Sequence, residues 1–133
     1  MLMSLNTLNN HSSWGIFALR LMTGLIFLVA GFSKVTGIDG FTGMLSGLGI
    51  PAAAIIAWII AIIELIGGIA LILGAFSQLA AIPLAIIMLV SSSLRLFGAI
   101  GEAGFGGARL DLLLLAALLV FVFGAKSALS VKE

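Results

Sequence analysis

The chain has 133 residues, of which 62% are hydrophobic and 8% charged, and its formal net charge is +1. So short a chain cannot cover so apolar a core, which excludes a water-soluble domain and marks a membrane protein. The near-zero charge excludes a nucleic-acid footprint, no cysteine is present for disulfides, thiolate metal sites or nucleophilic attack, and the single His11 rules out a multi-histidine metal centre within one copy.

In chain order, residues 1–13 read as a flexible polar tail without the basic start of a signal peptide. Residues 14–34 form the first span, with Trp14 as an interfacial anchor and Lys34 at the far end. A cleaved signal is the competing reading, but the span is too long for a typical apolar signal core. Within it Arg20, Gly24, Phe27, Gly31 and Lys34 recur at helical spacing and make one stripe. The glycine-punctuated stretch 36–50 keeps Phe41, Met44, Leu45 and Leu48 on one side, as expected of a short helix lying at the membrane interface. Gly49 and Pro51 then break and restart the chain.

Residues 51–73 are apolar except for Glu64 and form the second span. Glu64 shares its face with Ala57, Ala61, Gly67 and Gly68, where another helix can come close, so the carboxylate is expected to point into a bundle. The short link 74–78 makes the second and third helices antiparallel neighbours. The third span covers 79–97, with Pro83 in its first turns, and a glycine-rich connection leads to a fourth over 108–125. The run 101–107 is superficially like a phosphate-binding loop, but no strand precedes it and no GK[ST] follows. Residues 126–133 form a short tail. The fold class is all-α membrane: an up-down four-helix transmembrane bundle over 14–125, with the short interfacial helix between helices 1 and 2.

Helix rise converts position into depth. Glu64 lies roughly 20 Å in from Pro51 and Arg20 roughly 21 Å back from Lys34, so the two are expected to meet as an intramembrane ion pair. Such a pair can fix helix register or serve a proton or quinone site. Lys34, Arg95, Arg109 and Asp111 gather near the opposite end as a second, net positive cluster. Either they snorkel to the headgroups or they line a pocket for an anion, a quinone head or a lipid headgroup. Ser91, Ser92 and Ser93 add hydroxyls nearby, Trp14 and Trp58 read as packing and interface residues, and no catalytic residue or metal ligand set stands out.

The runs LRLMTGLIFLVAGFSK, LGIPAAAIIAWIIAIIELIGGIALILGAFSQLAA and GFGGARLDLLLLAALLV, in this order and spacing, resemble the DoxX family of small four-helix membrane proteins over nearly all of residues 15–125. The resemblance implies a four-helix bundle with polar positions at Arg20, Lys34, Glu64 and Asp111. It also implies a link to membrane-associated redox complexes, including a thiosulfate:quinone oxidoreductase, within a wider clan that contains chaperones and cargo receptors. Ala30 stands where family members commonly carry a histidine, which puts any imidazole-dependent role at that place in doubt.

Three functional classes follow. The first is a membrane subunit or anchor of a quinone-linked redox complex, without an intrinsic metal or flavin centre or independent catalytic activity, binding quinone or lipid and docking other membrane subunits. The second is a structural or assembly protein packed against a larger membrane complex, and the third a small transporter. The expected location is the plasma (inner) membrane with both termini cytoplasmic, although Lys126 and Lys132 nearly balance Lys34 and Arg109 across the two sides.

Overall fold

The computed structural model describes residues 12–99 and 104–124. Within them lie five helices: α1 (Ser12–Thr36), α2 (Ile38–Gly47), α3 (Ala53–Leu73), α4 (Ser77–Leu96) and α5 (Phe105–Val122). By length and composition, three stretches can cross a membrane: Trp14–Thr36, Ala53–Leu73 and Ser77–Leu96. Their outer faces agree, because Val29, Phe32, Ile55, Ile66, Leu79 and Ile86 all stand exposed. So continuous an apolar exterior suits hydrocarbon and not water. The tails and His11 fall outside the described residues, as does part of the glycine run 101–107.

In lipid the hydrophobic effect does not draw helices together, so close backbone approach has to. The α1 stripe and the small face of α3 supply it. A Cβ built on Gly31 would sit 2.6 Å from the Leu65 nitrogen, one on Gly68 2.5 Å from the Leu28 nitrogen, and one on Gly24 2.8 Å from the Gly68 oxygen. Ala57, Ala61, Glu64, Gly67, Gly68 and Leu71 are accordingly the buried residues of α3. Glycine is required at these crossings because any side chain would separate the helices.

The turn from α3 to α4 is tighter than the expected link. Gly74 adopts a left-handed φ of 70°, and the Gly74 and Ala75 amides cap the Leu71 and Ala70 carbonyls. Phe76, at φ 55°, completes the reversal, so α4 starts at Ser77 and not at 79. Gln78 Nε2 then donates to the Val122 carbonyl at 2.9 Å and ties this turn to the end of α5. At the other end of α5, Gly104 at φ 80° provides the entry and draws Gly106 and Gly107 into the first turn. The helix therefore begins at Phe105 and not at 108. Ala108 is fully buried there, which fixes that turn against its neighbours.

Two closely packed pairs result, α1 with α3 and α4 with α5, with sparser contact between the pairs. Phe27, Leu71, Leu84, Met88, Leu118 and Phe121 form a core where the pairs meet. The short α2 folds back against α3.

Candidate functional site

Glu64 is almost wholly buried and pairs with Lys34, Nζ to Oε2 2.8 Å. The expected Arg20–Glu64 pair is not formed. The α1–α3 register gives the reason: Gly31 lies against Ala61 and Leu65, and Gly24 against Gly68 and Ile72. Arg20, one turn before Gly24, is therefore level with the α3–α4 turn, roughly 12–18 Å along the axis from Glu64. The depth estimate took Lys34 and Pro51 to mark one membrane level. In the structure α3 instead starts well beyond the end of α1, and α2 packs alongside α3 in that step. Arg20 itself is fully buried, with its guanidinium 5.2 Å from the Phe17 ring centroid.

Lys34 gains further support from Phe41 of α2, whose ring centroid lies 5.4 Å from Nζ. It sits near the end of α1, 27% exposed, and its stem reaches back along the bundle to bring Nζ to the buried carboxylate. On the other helix pair, Arg95 Nε donates to Asp111 Oδ2 at 2.8 Å, and Ser91 Oγ donates to the same oxygen at 2.6 Å. Ser91 and Arg95 are one turn apart on α4, which lets both reach one carboxylate on α5. Ser92 and Ser93 instead donate to the Leu89 carbonyl. Arg109 is exposed and stands apart from this group.

Both ion pairs line one cavity of about 390 Å³. Its remaining wall is apolar, with Ile26, Phe27 and Ala30 from α1, Met44 and Leu45 from α2, and Ile87 and Met88 from α4 among its members. The volume lies in the range of small-molecule sites, which are mostly apolar with a few placed polar groups. Two cations and two carboxylates leave it formally neutral, where the expected cluster was net positive.

Each carboxylate is only half used. Glu64 Oε2 and Asp111 Oδ2 take all of their hydrogen bonds from the described residues, which leaves Oε1 and Oδ1 without one. Neither of these two oxygens is sealed from accessible space, unlike the enclosed Ser77 hydroxyl at the start of α4. They are spare acceptors at the cavity wall. Four wall residues, Met44, Ile86, Val90 and Leu110, are also exposed on the outside of the protein.

The DoxX family profile matches residues 15–94. The chain belongs to the DoxX family. A similar relative is the "Putative oxidoreductase CatD" of Bacillus subtilis, 35% identical over 82 residues, which is 62% of this chain and 60% of that protein. The "Uncharacterized membrane protein Rv3486" of Mycobacterium tuberculosis is 34% identical over 119 residues, 81% of this chain and 73% of that protein. The matched part of this chain thus spans less than two thirds of CatD's length. No solved structure gives a significant match.

Within the family region the site combines Lys34, Glu64, Ser91 and the α4 wall. Arg95 lies just past its end, and Asp111 on α5 lies well beyond it. Sequence reasoning named all four charged residues but divided them between two sites. It missed the α2 contribution of Phe41 and the space at Ala30, which lines the cavity one turn from Lys34. The helical spacing of Ala30 and Lys34 on α1 carried that signal.

Proposed function

We propose that this protein is a membrane subunit of a quinone-linked redox complex and that the cavity between its two helix pairs seats the quinone head. In this reading α1, α3, α4 and α5 all cross the plasma (inner) membrane, α2 lies at the interface, and both termini are cytoplasmic. The chain supplies binding and docking, with no metal or flavin centre of its own.

One observation carries the reading: two ion pairs line a single, mostly apolar cavity whose wall includes the outward-exposed Ile86, Val90 and Leu110. A neutral site repels neither sign and suits an uncharged polar ring with an apolar tail. The ring oxygens reach Lys34 and Arg95, which retain unused N–H groups, and the tail leaves past Ile86 and Val90 into hydrocarbon. The name "Putative oxidoreductase CatD" of the Bacillus subtilis relative points the same way. The small residues that suggested an assembly role, Gly24, Gly31 and Gly68, pack α1 against α3 within the chain.

The test is gentle purification followed by mass spectrometry of bound lipids, with titration of decylubiquinone into the protein in nanodiscs. Co-purified quinone, or saturable decylubiquinone binding weakened in Ala30→Leu, supports the proposal. Phospholipid alone in the extract with no saturable quinone binding refutes it.

A further inference from the structure

We infer that the cavity prefers the reduced, dihydroxy form of its ring ligand to the oxidised dicarbonyl form. This rests on the quinone reading above and adds a sign to it. The observation behind it is the pair of spare carboxylate oxygens, Glu64 Oε1 and Asp111 Oδ1, one on each helix pair, at the wall of the same cavity.

An ionised carboxylate only accepts hydrogen bonds. A quinone carbonyl also only accepts. Seated in the cavity, the oxidised ring can take bonds from the free N–H groups of Lys34 and Arg95 but offers nothing to the two carboxylate oxygens. It displaces whatever solvates them and leaves charged acceptors bare, which is the costly half of hydrogen-bond exchange. A ring hydroxyl both donates and accepts. The reduced form can donate to Oε1 at one end and Oδ1 at the other while still accepting from the cations beside them.

A hydrogen bond to a charged group is strong enough for a preference of about tenfold or more per carboxylate. Linkage then fixes the direction of the redox effect. Tighter binding of the reduced form raises the two-electron midpoint potential of the bound ring, by about 30 mV for each tenfold. The bound ring is thereby poised to gain electrons from a partner, with the carboxylates as hydrogen-bond acceptors for the protons of its reduced form.

The experiment compares equilibrium dissociation constants of decylubiquinol and decylubiquinone, measured anaerobically on the full chain in phosphatidylcholine nanodiscs. The expected result is at least tenfold tighter binding of the quinol. The same measurement on the Glu64→Gln, Asp111→Asn double variant should bring the two constants within about threefold. Ala30→Leu should weaken both forms alike, since it acts through space and not through acceptors. Equal affinities, or a tighter quinone, in the unaltered protein overturn the preference while leaving the site itself standing. Binding of neither form overturns the quinone reading and the preference with it. The comparison in the unaltered protein decides the matter even if the double variant does not fold.

Discussion

Lys34 and Glu64 form a pair whose two partners should be unequal when removed. In Lys34→Met the remaining carboxylate, 2% exposed, is left without its countercharge, and breaking a buried pair in this way costs about 3–5 kcal/mol. In Glu64→Gln the remaining ammonium is 27% exposed and sits on a flexible stem near the end of α1. It can swing toward the interface, so the expected cost is about 1–2 kcal/mol. The double variant removes both charges and should lie closer to the milder single, giving a coupling energy of about 3 kcal/mol or more. Denaturant unfolding in detergent, followed through Trp58 on α3, measures each step. A second cycle with Arg20→Met supplies the control. Arg20 lies about two to three turns from Glu64, so its effect should add to that of Glu64→Gln within about 0.5 kcal/mol. Refutation would be a coupling to Arg20 as large as that to Lys34, or a Lys34→Met no worse than Glu64→Gln.

Three further outcomes follow from the same geometry. Gly68→Ala and Gly31→Ala place a methyl within 2.5 and 2.6 Å of α1 or α3 backbone and should each destabilise by about 1–3 kcal/mol, whereas Gly40→Ala in α2, with nothing within 4 Å, should be neutral or stabilise by about 0.5–1 kcal/mol; the same unfolding assay ranks them. Ser91→Ala removes the 2.6 Å bond to Asp111 but leaves Arg95 in place, so it should cost about 1 kcal/mol, less than Asp111→Asn, which weakens both interactions; equal effects would mean that Ser91 orients the carboxylate alone. Ala30→Leu projects into the cavity and should weaken decylubiquinone binding at least tenfold without lowering stability, read by titration and thermal scan on one sample.

Much of the fold was legible because membrane helices write their faces plainly. The stripe of Arg20, Gly24, Phe27, Gly31 and Lys34 and the small face around Glu64 are the surfaces that pack, since only small residues allow the approach seen at Gly31 and Gly68. Helix ends were less legible. Gly74 and Gly104 were visible as breakers, but the left-handed turn at Phe76 that starts α4 early depends on tertiary packing and has no glycine to announce it. The pairing of Glu64 was misread because depth was counted from two chain positions taken as level. Sequence gives rise per residue, but not the offset between neighbouring helices. That offset is set by which glycines interlock and by the space that α2 occupies, and both are long-range properties.

The offset is also what creates the site. Had α1 and α3 started level, Glu64 would have met Arg20 deep in the bundle, and Lys34 would have stood alone at the surface. Because α3 runs on past α1, Glu64 lies instead beside Lys34, at the end where Arg95 and Asp111 close the other pair. Each of these two ion pairs thus lies within one helix pair. At this end the seam between the helix pairs opens into a cavity beside the core of Phe27, Leu84 and Met88, and α2 covers it with Met44 and Leu45. Charges that served only to fix register would be expected across the weakest interface, between the pairs. Lys34–Glu64 and Arg95–Asp111 are instead closed within the pairs and line a common space, a placement that suits a ligand better than a lock.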